Sequence, residues 1–139
     1  MSVEAFLDTN VLIYAAAGRI SEAAKQRRAL ACVEAANFGT SGQVLAEFYT
    51  NVTRKPARPL DRSEALDWIE RLAEFPVIPI TADLVRMAIG LSARYQVSYW
   101  DAAILAAAEE LGAPTLYSED LNHGQVYGSV KVVNPFLPN

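Results

Sequence analysis

Short apolar runs and amphipathic stretches alternate along the 139 residues. Residues 3–7 are apolar and stop at Asp8-Thr9-Asn10, the pattern of a strand running into a polar turn. Residues 11–17 read as a short helix stopped near Gly18. Ser21 is placed to cap a long alanine-rich helix reaching about Ala36. Phe38-Gly39-Thr40-Ser41 reads as a strand, and a helix follows from Gln43 to about Arg54, ended by Pro56 and Pro59. Asp61 or Ser63 opens a helix through Glu74, with Leu66, Trp68, Ile69, Leu72 and Phe75 as its apolar positions. Residues 77–80 form a strand candidate weakened by Pro79. Thr81 caps a helix over 83–95. Ser98 or Tyr99 leads into a helix over 100–111, closed by Gly112 with Pro114 beyond. The last strands are 115–117 and 130–133. Strands separated by helical segments imply an α/β fold: one domain over residues 1–139, with a central parallel sheet flanked by helices on both faces.

Composition narrows the chemistry. Hydrophobic residues make up 52% of the chain, enough for a true core and against disorder. A lone cysteine, Cys32, and a lone histidine, His123, exclude a disulfide framework and a zinc site built from soft ligands. His123 is expected to shape the Asn122-His123-Gly124 turn. No export signal or membrane-length apolar run is visible, so a soluble cytoplasmic protein is expected.

The formal charge of -4 argues against a generally basic nucleic-acid coat protein, but it is unevenly spread. Through Arg62 the balance is eight bases against six acids, and beyond it four bases against ten acids. The run Arg54, Lys55, Arg58 and Arg62 is dense enough to be a candidate phosphate-facing patch.

The placement of four acids carries more information than their number. Asp101 falls within the apolar stripe of its helix, beside Ile104, Leu105, Ala108 and Leu111. A carboxylate there is costly unless paired, hydrogen-bonded or bound to a cation, although a role at the helix start accounts for it equally well. Glu47 flanks the face formed by Val44, Leu45, Phe48 and Val52. Asp8 follows directly on an apolar strand, and Asp120, with Ser118 and Glu119, sits just beyond the strand 115–117, where open α/β sheets form their ligand crevice; an Asx-turn or helix cap for Asp8 and a plain turn for Asp120 are the simpler alternatives. If these acids converge, their mutual repulsion calls for a cation. With oxygen ligands alone that cation is hard, Mg²⁺ or Mn²⁺, and it would handle phosphates.

The same residues fall into recognisable motifs. Phe6-Leu7-Asp8-Thr9-Asn10-Val11-Leu12 resembles the N-terminal signature of PIN-domain ribonucleases. Ala46-Glu47-Phe48 with Asn51 resembles their second acidic helix, Tyr99-Trp100-Asp101-Ala102-Ala103-Ile104 their third motif, and Tyr117-Ser118-Glu119-Asp120-Leu121 their fourth. The order is the family's, and the chain is most similar to VapC-type toxins of type II toxin–antitoxin pairs. The resemblance implies a Mg²⁺- or Mn²⁺-dependent endoribonuclease in which Asp8, Glu47, Asp101 and Asp120 bind metal and catalyse. Thr9, Asn10 and Ser118 would support them, and Glu119 would either turn outward or help bind a second ion. Arg54, Lys55 and Arg58 would hold flanking RNA phosphates. The implied partners are an RNA substrate, a small antitoxin encoded nearby and a second copy of the chain.

Other readings are an RNA-processing nuclease without a toxin role and a non-catalytic RNA-binding or interaction module. An acidic phosphatase or phosphoacceptor domain fits less well, because Asp8 has no second Asp beside it and Glu47 lies within a helix.

Overall fold

The computed structural model describes residues 3–18, 22–35 and 37–138. Its order is β1 (Ala5–Leu7), α1 (Thr9–Ala17), α2 (Ala23–Glu34), β2 (Phe38–Ser41), α3 (Gly42–Val52), α4 (Arg62–Leu72), β3 (Val77–Ile78), α5 (Ala82–Tyr95), α6 (Tyr99–Leu111), β4 (Thr115–Tyr117), β5 (Val126–Tyr127) and β6 (Val130–Val133). The six strands form one sheet in the order β3-β2-β1-β4-β6-β5. All neighbours are parallel except β5, which pairs antiparallel with β6.

β1 lies at the centre of the sheet, and all its residues, like those of β2, are buried. Strands buried at every position have helices over both faces, and that explains why they read as continuous apolar runs. α6 lies across β1, β2, β3, β4 and β6, with α5 packed against it, while α1 packs on α2 and α3. On α6, Ile104, Leu105, Ala107 and Ala108 join the core against the sheet, while Ala102, Ala103 and Ala106 pack with Leu84 and Ala88 of α5. Gly39 of β2 completes the fit, since a Cβ there would stand 2.6 Å from Leu111 Cδ2 and 2.9 Å from the Pro76 carbonyl oxygen.

The predicted elements match in type and order, and the differences have local causes. β1 is shorter than residues 3–7, beginning at Ala5. β3 stops at Ile78, one residue before Pro79, which has no N–H to give a ladder. α3 ends at Val52, two residues earlier than expected, with Thr53 as its C-cap. The predicted cap Ser21 and helix end Ala36 lie outside the described residues; α2 runs from Ala23 to Glu34. β5, two residues long, is an element the sequence pattern did not predict.

Three helix starts are made by the expected chemistry. Asp61 forms a capping box with Glu64 at α4, Thr81 accepts from the Leu84 N–H at α5, and Ser98 accepts from the Asp101 N–H at α6. α6 ends on Gly112 in the left-handed conformation (φ 79°), which costs a residue without Cβ little. Among the described residues no helix is long and apolar enough to cross a membrane.

Candidate active site

The carboxyl ends of β1 and β4 lie side by side, with Leu7 paired to Tyr117, so the residues after each strand meet. The Asp8 N–H donates to the Tyr117 carbonyl (3.1 Å) and the Ser118 N–H to the Val133 carbonyl (3.1 Å), which carries the ladder one step beyond the strands. Asp8 then turns into α1 as its N-cap, its Oδ1 accepting from the Thr9 N–H at 2.7 Å. Its other oxygen accepts from Ser118 Oγ at 2.8 Å. The same serine oxygen accepts from the Asp120 N–H at 3.1 Å, so Ser118 couples the two acidic turns.

Asp8 is 6% exposed and Ser118 fully buried. Burial dominates the protonation of Asp8, lifting its pKa from 3.8 to about 6 against the lowering effect of the Thr9 and Ser118 hydrogen bonds; the charges of Asp120 and Glu47 push the same way as burial. Asp120 is also raised, first by burial and then by the charges of Asp101, Glu119 and Glu47. These mutual effects place Asp8, Glu47, Asp101 and Asp120 in one electrostatic neighbourhood.

Neighbouring polar side chains hold two of these acids in place. Thr9 Oγ1 donates to Glu47 Oε1 at 2.7 Å, and Gln43 Nε2 donates to Glu47 Oε2 at 3.2 Å. Asn10 Nδ2 reaches both oxygens of Asp120, at 3.1 and 3.0 Å. Asp101 sits in the first turn of α6, half-buried, and the turn is capped by Ser98 rather than by the aspartate itself. Among the described residues, no donor to the Asp101 carboxylate is found, which leaves that carboxylate free for another partner.

Glu119 is engaged elsewhere. Its carboxylate accepts from Lys25 Nζ at 2.7 Å and from Tyr14 Oη at 3.1 Å. The Lys25 ammonium also lies over the rings of Tyr14 and Phe136, at 4.6 and 5.6 Å from their centres. The Glu119 hydrogen bond raises the Lys25 pKa above its ordinary value, so it stays a cation. His123 Nδ1 accepts from the Asn134 N–H at 3.0 Å, tying its turn to the chain beyond β6, in keeping with a structural part.

Lys55 and Arg58 line a groove of about 590 Å³ between α1 and the segment joining α3 to α4. Asn10, the residue that grips Asp120, belongs to the same groove. Arg54 instead turns back on its own helix, Nε donating to the Thr50 carbonyl at 3.0 Å. Gln43 is the participant that the sequence reading missed. It lies one helical turn before Glu47, at i,i+4 spacing, and that was the available signal.

The donor set suits a hard cation: oxygen ligands alone, with an acid whose pKa is raised by burial and by the neighbouring carboxylates. As the side chains stand, however, no group of three or more His, Cys, Asp or Glu among the described residues has the geometry to hold a metal ion. Glu47 and Asp120 are drawn onto Thr9, Gln43 and Asn10 instead.

An α/β sheet with conjoined acids at the ends of its central strands defines a class of fold, and the comparisons with known proteins give it a family. The PIN domain model matches residues 5–128, and the chain belongs to that family. No curated protein matches. Among solved structures, the chain is similar to a toxin–antitoxin complex from Klebsiella pneumoniae, with 22% identity and a TM-score of 0.69 over 95% of this chain and 98% of that one. It is also similar to Mycobacterium tuberculosis VapC20, described as a sarcin-ricin loop cleaving toxin, with 24% identity and a TM-score of 0.64 over 84% and 90% of the two chains. A third likeness is to VapBC2 from Rickettsia felis bound to a DNA fragment from its promoter, with 17% identity and a TM-score of 0.64 over 94% and 97%.

Proposed function

We propose that this chain is a divalent-metal-dependent endoribonuclease and the toxin of a toxin–antitoxin pair. The observation that carries the reading is the coupling of Asp8 and Asp120 through Ser118, with Glu47 and Asp101 in the same electrostatic field. Family membership and the likeness to toxin–antitoxin structures support it.

Asp8, Glu47, Asp101 and Asp120 would hold Mg²⁺ or Mn²⁺. Bound there, the cation supplies Lewis-acid stabilisation of phosphoryl charge and acidifies an attacking water. Ser118 and the Thr9 N–H fix both oxygens of Asp8, so its carboxylate meets the site in one orientation. Thr9 and Gln43 set Glu47, and Asn10 sets Asp120, in the way outer hydrogen bonds orient metal ligands generally. Lys55 and Arg58 bind RNA phosphates along the groove that opens at Asn10, and Arg54 lies nearby to add charge. An unpaired stretch of RNA suits such a site, since its backbone can be drawn in without unwinding a duplex. A basic side chain of an antitoxin would compete with the cation for the same acids. A second copy of the chain is the remaining partner in this reading.

The test is cleavage of single-stranded RNA with Mg²⁺ or Mn²⁺ present. Asp8→Asn and Asp101→Asn are each expected to lower the rate at least 100-fold while circular dichroism stays native, and EDTA to abolish cleavage by the parent. Cleavage that survives EDTA in either variant refutes the mechanism. Growth arrest on induction, relieved by a neighbouring gene, separates a toxin from an RNA-processing nuclease.

A further inference from the structure

Trp100 is 64% exposed, although tryptophan is a side chain that folding ordinarily covers. The other tryptophan, Trp68, is packed toward the core, its ring centre 6.4 Å from that of Phe48. Trp100 precedes Asp101 in the first turn of α6, at the edge of the acidic centre. One exposed apolar residue is common on any surface. This one is mounted differently.

Its carbonyl accepts from Gln43 Nε2 at 3.3 Å, and the same amide donates to Glu47 at 3.2 Å. One side chain therefore fixes both a carboxylate of the centre and the backbone that carries the indole. The Tyr99 ring meets the indole nearly edge-on, with centres 5.1 Å apart and planes at 80°. The result is a flat, open aromatic surface attached to the Glu47 side of the site.

The energetics of a nucleic-acid ligand give that surface a use. Four carboxylates repel phosphate, so binding energy must come from beside them rather than from them. On the Asp120 side, Lys55 and Arg58 offer charge along the groove shared with Asn10. On the Glu47 side, the distinctive group is the indole. Base–aromatic stacking tolerates any sequence and needs no charge.

We propose that Trp100 is a stacking platform for an unpaired nucleobase adjoining the phosphate held at the acids, a step that rests on the ribonuclease reading. The tested protein is the full chain carrying Asp8→Asn, which prevents turnover. Its affinity for labelled single-stranded RNA is measured with Trp100→Ala and Trp100→Phe added in turn. Alanine is expected to weaken binding roughly 10- to 100-fold, and phenylalanine to recover most of the loss. A series of the same RNA with one abasic nucleotide at successive positions gives the decisive readout: the Trp100→Ala penalty should vanish at one position and persist at the others. In otherwise native protein, Trp100→Ala should raise KM and leave kcat within a few fold.

An unchanged affinity in Trp100→Ala, or a penalty equal for every abasic RNA, overturns the platform. So does a change in oligomeric state on sedimentation, which would make Trp100 a subunit contact. If native protein cleaves RNA while any of these results appears, the stacking proposal alone fails. If native protein with metal does not cleave RNA, the ribonuclease reading fails as well.

Discussion

Asp8 carries a carboxylate to a place where, among the described residues, two hydrogen bonds and no salt bridge receive it. With its pKa at about 6 against 3.8 unfolded, the native state binds the proton more tightly than the unfolded chain does. The stability difference therefore works against the fold as pH rises through that window, and above it the ionised group costs about 3 kcal/mol. Urea denaturation in EDTA should show Asp8→Asn more stable than the parent at pH 7 by about 1–3 kcal/mol, the gain shrinking to nothing near pH 4. A gain independent of pH would mean that the charge of Asp8 is not the cause. An acid left this costly in the native fold is a familiar mark of a functional position. Lys25 and Glu119 show the opposite arrangement, in which a charge is matched at a half-exposed position beside aromatic rings.

At the level of elements, β1 and β2 are fixed by what leans on them. Gly39 leaves room for Leu111 of α6 and the Pro76 carbonyl, and the carbonyl, being backbone, cannot swing aside as a side-chain end can. Gly39→Ala is expected to destabilise the protein by about 1–3 kcal/mol in thermal unfolding, as overpacking does, and to shift α6 outward. Much of the architecture was legible in the sequence because each element obeys its own local rule: period two or continuous apolar runs for strands, caps and Gly112 for helices. Asp8 was visible because it ends an apolar run, Asp120 because it lies in the polar turn just beyond another, and Asp101 because it interrupts an apolar stripe. Gln43 was not, since its value depends on a carbonyl 57 residues away. The Lys25–Glu119 pair, 94 residues apart, and the two-residue β5 were hidden for the same reason: the fold makes them, not the local pattern.

Across the whole molecule, the acids and the bases have separate addresses. The formal charge of -4 is close to that of the four acids at the candidate site, while Lys55 and Arg58 lie along the adjoining groove. An acidic protein of this kind can still take hold of RNA through one edge. If it does, log KM for RNA should rise with log salt, and Lys55→Ala with Arg58→Ala should lower that slope by roughly 1.4, about 0.7 per lost phosphate contact on a single strand. A slope unchanged in the double variant would move the RNA path elsewhere.

The alanines of α6 bear on all of this. Ala102, Ala103 and Ala106 face α5, and Ala107 and Ala108 face the sheet core, so the helix is seated on both sides by side chains of one methyl each. Asp101 rides on the first turn of this helix, so the seating of α6 fixes where its carboxylate stands. The spacing of the candidate acids thus depends on residues that belong to no site, and a single enlargement among them is expected to displace Asp101 without altering any acid.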